Sequence, residues 1–167
     1  MLGPGLWIVR NMEMCPENDQ YESPLEIIRK KINRTHDGFT AEYQLATDIN
    51  TEAALDVTVF KQVDGGWKIF HSVVWENACE FFKKNSKENF SKILTAADQP
   101  DECPLVAGHY KIENFIFNYE DLPEQCVYGM FKVLAYLKVE GRKVTCLTMY
   151  AECLEKVPGT KVWKAFM

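Results

Sequence analysis

Residues 103–153 read CPLVAGHYKIENFIFNYEDLPEQCVYGMFKVLAYLKVEGRKVTCLTMYAEC. Three strand-like runs, 108–118, 127–138 and 142–153, are separated here by turn residues, with Glu140-Gly141 as the tightest turn. Two of the runs are apolar on both sides. In the first, Tyr110, Ile112 and Ile116 fall on one side and Phe115 and Phe117 on the other. In the second, Val127, Phe131, Val133 and Leu137 oppose Tyr128, Met130, Leu134 and Tyr136. A sheet with one solvated face alternates polar with apolar residues. Two apolar faces therefore need cover on both. That cover is either a second layer, such as packed helices, or a ligand held against one face, and periodicity weighs the two equally.

Working outward, residues 6–14 form a first strand ending at Cys15, and 25–34 read as a second strand after Pro24. His36-Asp37-Gly38 signals a hairpin. Phe39, Ala41, Tyr43 and Leu45 then alternate with polar neighbours, as do Leu55, Val57 and Val59 further on. Asp64-Gly65-Gly66 is a tight turn, and 67–74 is the returning strand, so the first half reads as an antiparallel meander. Between 75 and 97 the spacing changes. Trp75, Ala78, Cys79 and Phe82, then Phe90, Ile93 and Leu94, recur at helical intervals and predict one or two short helices. Pro158-Gly159 breaks the chain before a short tail. The expected fold is all-β: an antiparallel two-sheet sandwich or cup with a hydrophobic cavity and a short helical insertion near 75–97. It forms one domain over 1–167, with its core at about 5–155.

The chain is 47% hydrophobic and 26% charged, as soluble globular domains are. Its net charge of −5 argues against nucleic acid as a partner, since phosphate binding needs a basic face. The basic clusters at Arg29, Lys30, Lys31 and Arg34 and at Lys83, Lys84 and Lys87 read as solvated surface. No run approaches the roughly 20 apolar residues of a membrane span. The six cysteines, Cys15, Cys79, Cys103, Cys126, Cys146 and Cys153, show no CxxC spacing, so no metal site is expected. Their even number, with sequons at Asn33 and Asn89, favours disulfides, glycosylation and a secreted, extracellular location. The opening MLGPGLWIV lacks the basic start and sustained apolar run of a signal peptide. Either the mature chain begins here or another segment has replaced a leader.

The features Cys103-Pro104, Ile112 to Phe117 with Asn114 and Phe115, Leu122-Pro123 and Gly129 resemble the insect chemosensory-B (CheB) proteins. Those proteins are similar to the ganglioside-activator branch of the ML lipid-recognition domains. Cys79 followed by Phe81-Phe82, and the strand from Gly38 to Asp48, fit the same pattern. The resemblance implies a secreted β-cup that holds a lipid tail between two sheets, in insects a chemosensory or pheromone-related carrier. Six cysteines depart from the eight of the ganglioside activator, so ganglioside specificity is not carried over. Six cysteines allow 15 pairings; Cys79 with Cys103, tethering the helical insertion to the next strand, is the expected one, and Cys15 with Cys153 and Cys126 with Cys146 are one way to complete the set.

The expected function is therefore binding of a lipid or other apolar small molecule, with a receptor or membrane surface as a further partner and no cofactor. Candidate cavity residues from the first half are Phe39, Tyr43, Leu45, Val57, Val59 and Phe70. Those from the second half are Phe115, Phe117, Phe131 and Val133, with Trp67 and Trp75 at the mouth. The other reading is an extracellular protein-interaction module with a solid core. A secreted hydrolase is a weaker third, because no GxSxG, P-loop or HExxH pattern accompanies His36, His71 and His109. Glu42, Asp48 and Asp56 read as solvated carboxylates rather than an acid pair. The chain is not expected to be an enzyme.

Overall fold

A computed structural model describes residues 2–31 and 37–156, and the backbone of 163–164. The chain runs β1 (Leu2–Met14), β2 (Leu25–Lys31), β3 (Asp37–Leu45), β4 (Ala54–Val63) and β5 (Gly66–Trp75). Two helices follow, α1 (Ala78–Asn85) and α2 (Lys87–Ala96). The remaining strands are β6 (Gly108–Ile116), β7 (Gln125–Val127), β8 (Gly129–Val139), β9 (Arg142–Lys156) and β10 (Trp163–Lys164). The large antiparallel sheet has the order β5-β4-β8-β9-β1-β7, with β10 beside the end of β9, and the small one is β2-β3-β6. Together they curl into a half-barrel. The expected strand after Pro24 and the helices at 75–97 are present. The Asn33 sequon and His36 lie outside the described residues.

The first half is not a meander. β1 pairs with β9 and β7 rather than β2, while β2–β3 and β4–β5 are hairpins in different sheets. Between β3 and β4 the chain crosses from one sheet to the other, anchored by buried Ile49 and Ala53. Alternation reports which face of a strand is covered; it does not report the neighbouring strand.

The two-faced strands resolve differently from each other. In β6, Asn114 adopts a left-handed φ of 51° and inserts one residue into the ladder, between Phe39 opposite Phe115 and Ala41 opposite Ile112. The bulge reverses the alternation, so Phe115 joins Tyr110 and Ile112 on one face and Ile116 turns to solvent. The expectation that Phe115 and Phe117 oppose Tyr110 and Ile112 therefore fails, because a one-residue insertion flips every later side chain. In β8, Phe131, Val133, Ala135 and Leu137 face the small sheet. Tyr136 faces outward, where Tyr21 and the segment from Cys15 to Ser23 lie across it. That cover is a loop pinned by a disulfide, not the helices.

The bridges are Cys79–Cys103, as expected, and Cys15–Cys146 and Cys126–Cys153, which replace the other two expected pairs. Strand direction explains the correction. β1 runs antiparallel to β9, so its end, Met14, lies opposite Leu147 beside Cys146. Its beginning brings Gly3 opposite Cys126 and Trp7 opposite Cys153. A Cβ on Gly5 would sit 2.7 Å from the sulfurs of both Cys126 and Cys153, so glycine is what lets β1 pass this bridge.

The helices close one end of the space between the sheets. Asn77 caps α1 by accepting a hydrogen bond from the Glu80 amide. Ala78, Cys79, Phe81 and Phe82 then pack into a cluster with Leu45, Leu55, Tyr110, Leu137 and Val139. In α2, Asn89 is 1% exposed. Its side-chain amide donates to Ser86 Oγ at 3.1 Å and to the Asn118 carbonyl at 2.8 Å, and its oxygen accepts from the Asn118 amide at 2.8 Å. A glycan on this nitrogen has no room, so the expectation of glycosylation at Asn89 is withdrawn. Enzymatic deglycosylation of secreted, folded protein is expected to leave the mass of the Asn89 peptide unchanged. Replacing Asn89 by Ala is expected to cost about 2–3 kcal/mol in urea unfolding, since it orphans buried backbone groups.

Candidate functional site

Directly opposed residues in a sheet share a face, which locates the inner surface. On the large sheet, Leu55 opposes Leu137, Val57 opposes Ala135, Val59 opposes Val133 and Lys61 opposes Phe131. β9 continues these rows with Thr145, Leu147, Met149 and Ala151. On the small sheet, Tyr43, Ala41 and Phe39 stand between Leu25, Ile27 and Arg29 on β2 and Tyr110, Ile112 and Phe115 on β6. Phe117 contacts Phe39 with ring centroids 6.2 Å apart. The ten residues proposed from sequence as lining thus gather on the two facing surfaces. Phe70 joins them through a β-bulge that places its ring 5.3 Å from Phe131.

Accessibility divides this interior. At the helix end, Leu45, Leu55, Tyr110 and Leu137 are buried together. Toward the β4–β5 turn, Val57, Val59, Val133, Phe115 and Phe117 keep part of their surface open, and Phe70 is 48% exposed. Phe131, at 2%, is the packed exception, held between Phe70 and Trp7. The small sheet approaches the large one along β1 and β2. On the far side β5 and β6 are both edge strands, joined in sequence by α1 and α2. The inner faces are therefore closely packed at the helix end and partly exposed toward the β4–β5 turn.

The two proposed mouth residues lie elsewhere. Trp75 is at the sealed end, its ring 5.0 Å from Phe81, in a surface cleft of about 230 Å³ shared with Glu76, Asn77, Glu80 and Lys84. Trp67, opposite Gln62, shares the outer face with Phe60 and Ile69 and packs 5.7 Å from Tyr150. The face each ring occupies on this bulged strand is set by its register with β4. Lys61 was missed because a charge within a strand reads as solvent-facing. Continuing the alternation of Leu55, Val57 and Val59 puts Lys61 on their face, and its pairing with Phe131 agrees.

Polar groups also stand on the inner faces, among them Arg29, Lys61, Thr145 and Tyr43. Tyr43 Oη lies 2.6 Å from Thr145 Oγ1, which donates to the Ser23 carbonyl at 2.8 Å, so the phenol donates to Thr145. Burial pushes the Tyr43 phenol up to about 12. Tyr119, desolvated and beside Asp37, is likewise raised to about 12. A raised phenol contributes stability that is complete below its unfolded value, near pH 10, and lost as pH rises through about 12. In an alkaline titration followed by phenolate absorbance, a late step near pH 12 is expected to coincide with unfolding, and Tyr43→Phe should shrink it.

The acids do not converge: Glu42 lies by Lys111 and His109, Asp56 pairs with Lys138 at 2.8 Å, and Asp48 caps the Ala107 amide. All six cysteines are bonded, so none is a thiol nucleophile. No group of metal-binding side chains assembles among the described residues. Among them, too, no helix is long and apolar enough to cross a membrane.

Fold and interior together define a disulfide-bonded, cup-like antiparallel β-sandwich with an apolar, partly open inside. A family model described as a protein of unknown function (DUF1091) matches residues 55–133. That span runs from β4 into β8 and takes in Val57, Val59, Phe70, Phe115, Phe117, Phe131 and Val133. No curated protein matches the chain.

Proposed function

We propose that this protein is a secreted carrier that holds a lipid or similar apolar molecule between its sheets. The supporting observation is the set of inward-facing side chains, Val57, Val59, Val133, Phe115, Phe117 and Phe70, that stay accessible although apolar. Apolar surface left open in this way gains about 25 cal/mol per Å² when a ligand covers it. Three disulfides support the extracellular assignment and offset the packing that an open interior forfeits. The resemblance to the chemosensory-B and ganglioside-activator branch of the ML domains points the same way.

One observation favours a second reading, an extracellular interaction module. Edge strand β5 carries Trp67, Ile69 and Val74 on its outer face, and Ile69 is 66% exposed. Native mass spectrometry of the secreted, non-reduced protein, followed by organic extraction, tests the carrier reading. A mass excess that extracts as lipid is expected. Bare protein that also takes up neither dodecanoic acid nor a neutral hydrophobic dye would overturn it.

A further inference from the structure

We infer that the cup's rim carries an anion-binding site, formed by Lys61 and Lys68, that selects amphiphiles with a carboxylate or phosphate head. This deepens the carrier reading and rests on it. In the β4–β5 hairpin Val59 opposes His71 and, beyond the bulge at Phe70, Lys61 opposes Lys68. Residues 59 and 61 share a face, so both lysines stand on the inner side, nearer the turn than Val59. Lys61 also opposes Phe131. Its Cε lies 3.4 Å from where a Cβ on Gly129 would be, so its stem crosses the inner face over a glycine. Lys61 thus reaches from β4 toward β8, while Lys68 stands on the other side of β4, on edge strand β5, which also carries the exposed Phe70.

Like charges directly opposed in a sheet repel and destabilise the pair. Among the described residues no carboxylate lies within ion-pair distance of either lysine. Of the acids nearby, Asp37 pairs with Arg29 at 3.4 Å, Glu155 stands on β9, two strands from β4, acting on Tyr128, and Asp64 in the β4–β5 turn forms no ion pair with either lysine. Two cations with no counter-charge beside an apolar wall fit an anionic head with an alkyl tail. The head sits between the ammonium groups, and the tail runs past Phe70 and Val59 toward Leu55. Six residues of strand separate Lys61 from Leu55, about 20 Å at the usual rise, which accommodates a medium or long alkyl chain.

The test displaces the neutral dye N-phenyl-1-naphthylamine from the full, oxidised protein with dodecanoic acid, dodecyl phosphate and dodecanol. Both anions are expected to bind about tenfold or more tightly than the alcohol, as two charge-assisted contacts imply. Lys61→Met with Lys68→Met should abolish that preference while leaving dodecanol affinity unchanged. Lys61→Arg with Lys68→Arg should keep it. A preference for one anion over the other identifies carboxylate or phosphate as the head. Equal binding of acid and alcohol, or a preference that survives the double methionine variant, would overturn the lysine site and leave the carrier reading standing. Failure of all three ligands to bind would overturn both.

Discussion

Replacing Cys15 and Cys146 together by alanine is expected to lower stability by about 5 kcal/mol, the largest chain-entropy effect of the three disulfides. The bridge spans 131 residues, against 24 for Cys79–Cys103, and the entropy it removes from the unfolded chain grows slowly with that length. It also pins the segment from Cys15 to Ser23 over the outer face, where Cys15, Cys146 and Thr148 are buried. The double variant at Cys79 and Cys103 should lose about 3 kcal/mol. Urea unfolding followed by tryptophan fluorescence reads both. A Cys15–Cys146 loss well below that of Cys79–Cys103 would mean the outer loop is not fixed as described. A non-reducing peptide map that joins Cys15 to Cys153 would contradict the topology itself.

Phe131→Ala should be comparably damaging, about 3–5 kcal/mol, because a buried aromatic ring is deleted from a packed site. Phe131 is wedged between Trp7 and Phe70 at centroid distances of 5.5 and 5.3 Å, and it holds the edge hairpin to the centre of the large sheet. Val59→Ala, two strand positions from Lys61 on the same face, should cost only about 1 kcal/mol, since that side chain is already partly solvated. The contrast separates the packed part of the interior from the part left for a ligand. Equal losses at the two positions would mean the interior is packed throughout, and the open-cup description would fail.

Much of this fold was legible in the chain. The Asp64-Gly65-Gly66 turn places Gly65 at φ 83°, where glycine carries no Cβ penalty, and the Glu140-Gly141 turn appears with φ 52° and 79°. The change from alternating to helical spacing after Trp75 marked α1 and α2. Sheet membership was not legible, because β3 and β4 alternate equally well whether or not they pair. Nor were the bulges at Phe70 and Asn114, each a single inserted residue whose effect is set by the partner strand. The proposed lining residues nonetheless stand on the inner faces of the two sheets. For Phe115 the bulge restored the inward direction that simple alternation denies it relative to Ile112. The buried sequon at Asn89 misled for a related reason. The triplet records only local sequence, while the contacts that occupy its amide come from Asn118, far along the chain.

The most direct test is a methyl-resolved nuclear magnetic resonance titration of the oxidised protein with dodecanoic acid. Intermolecular contacts are expected from the alkyl chain to the methyl groups of Val57, Val59 and Val133, which share the inner face of β4 and β8. Ile69 and Val74, on the outer side of β5, should remain unperturbed. Contacts confined to Ile69 and Val74, with the three inner valines silent, would contradict a ligand held between the sheets.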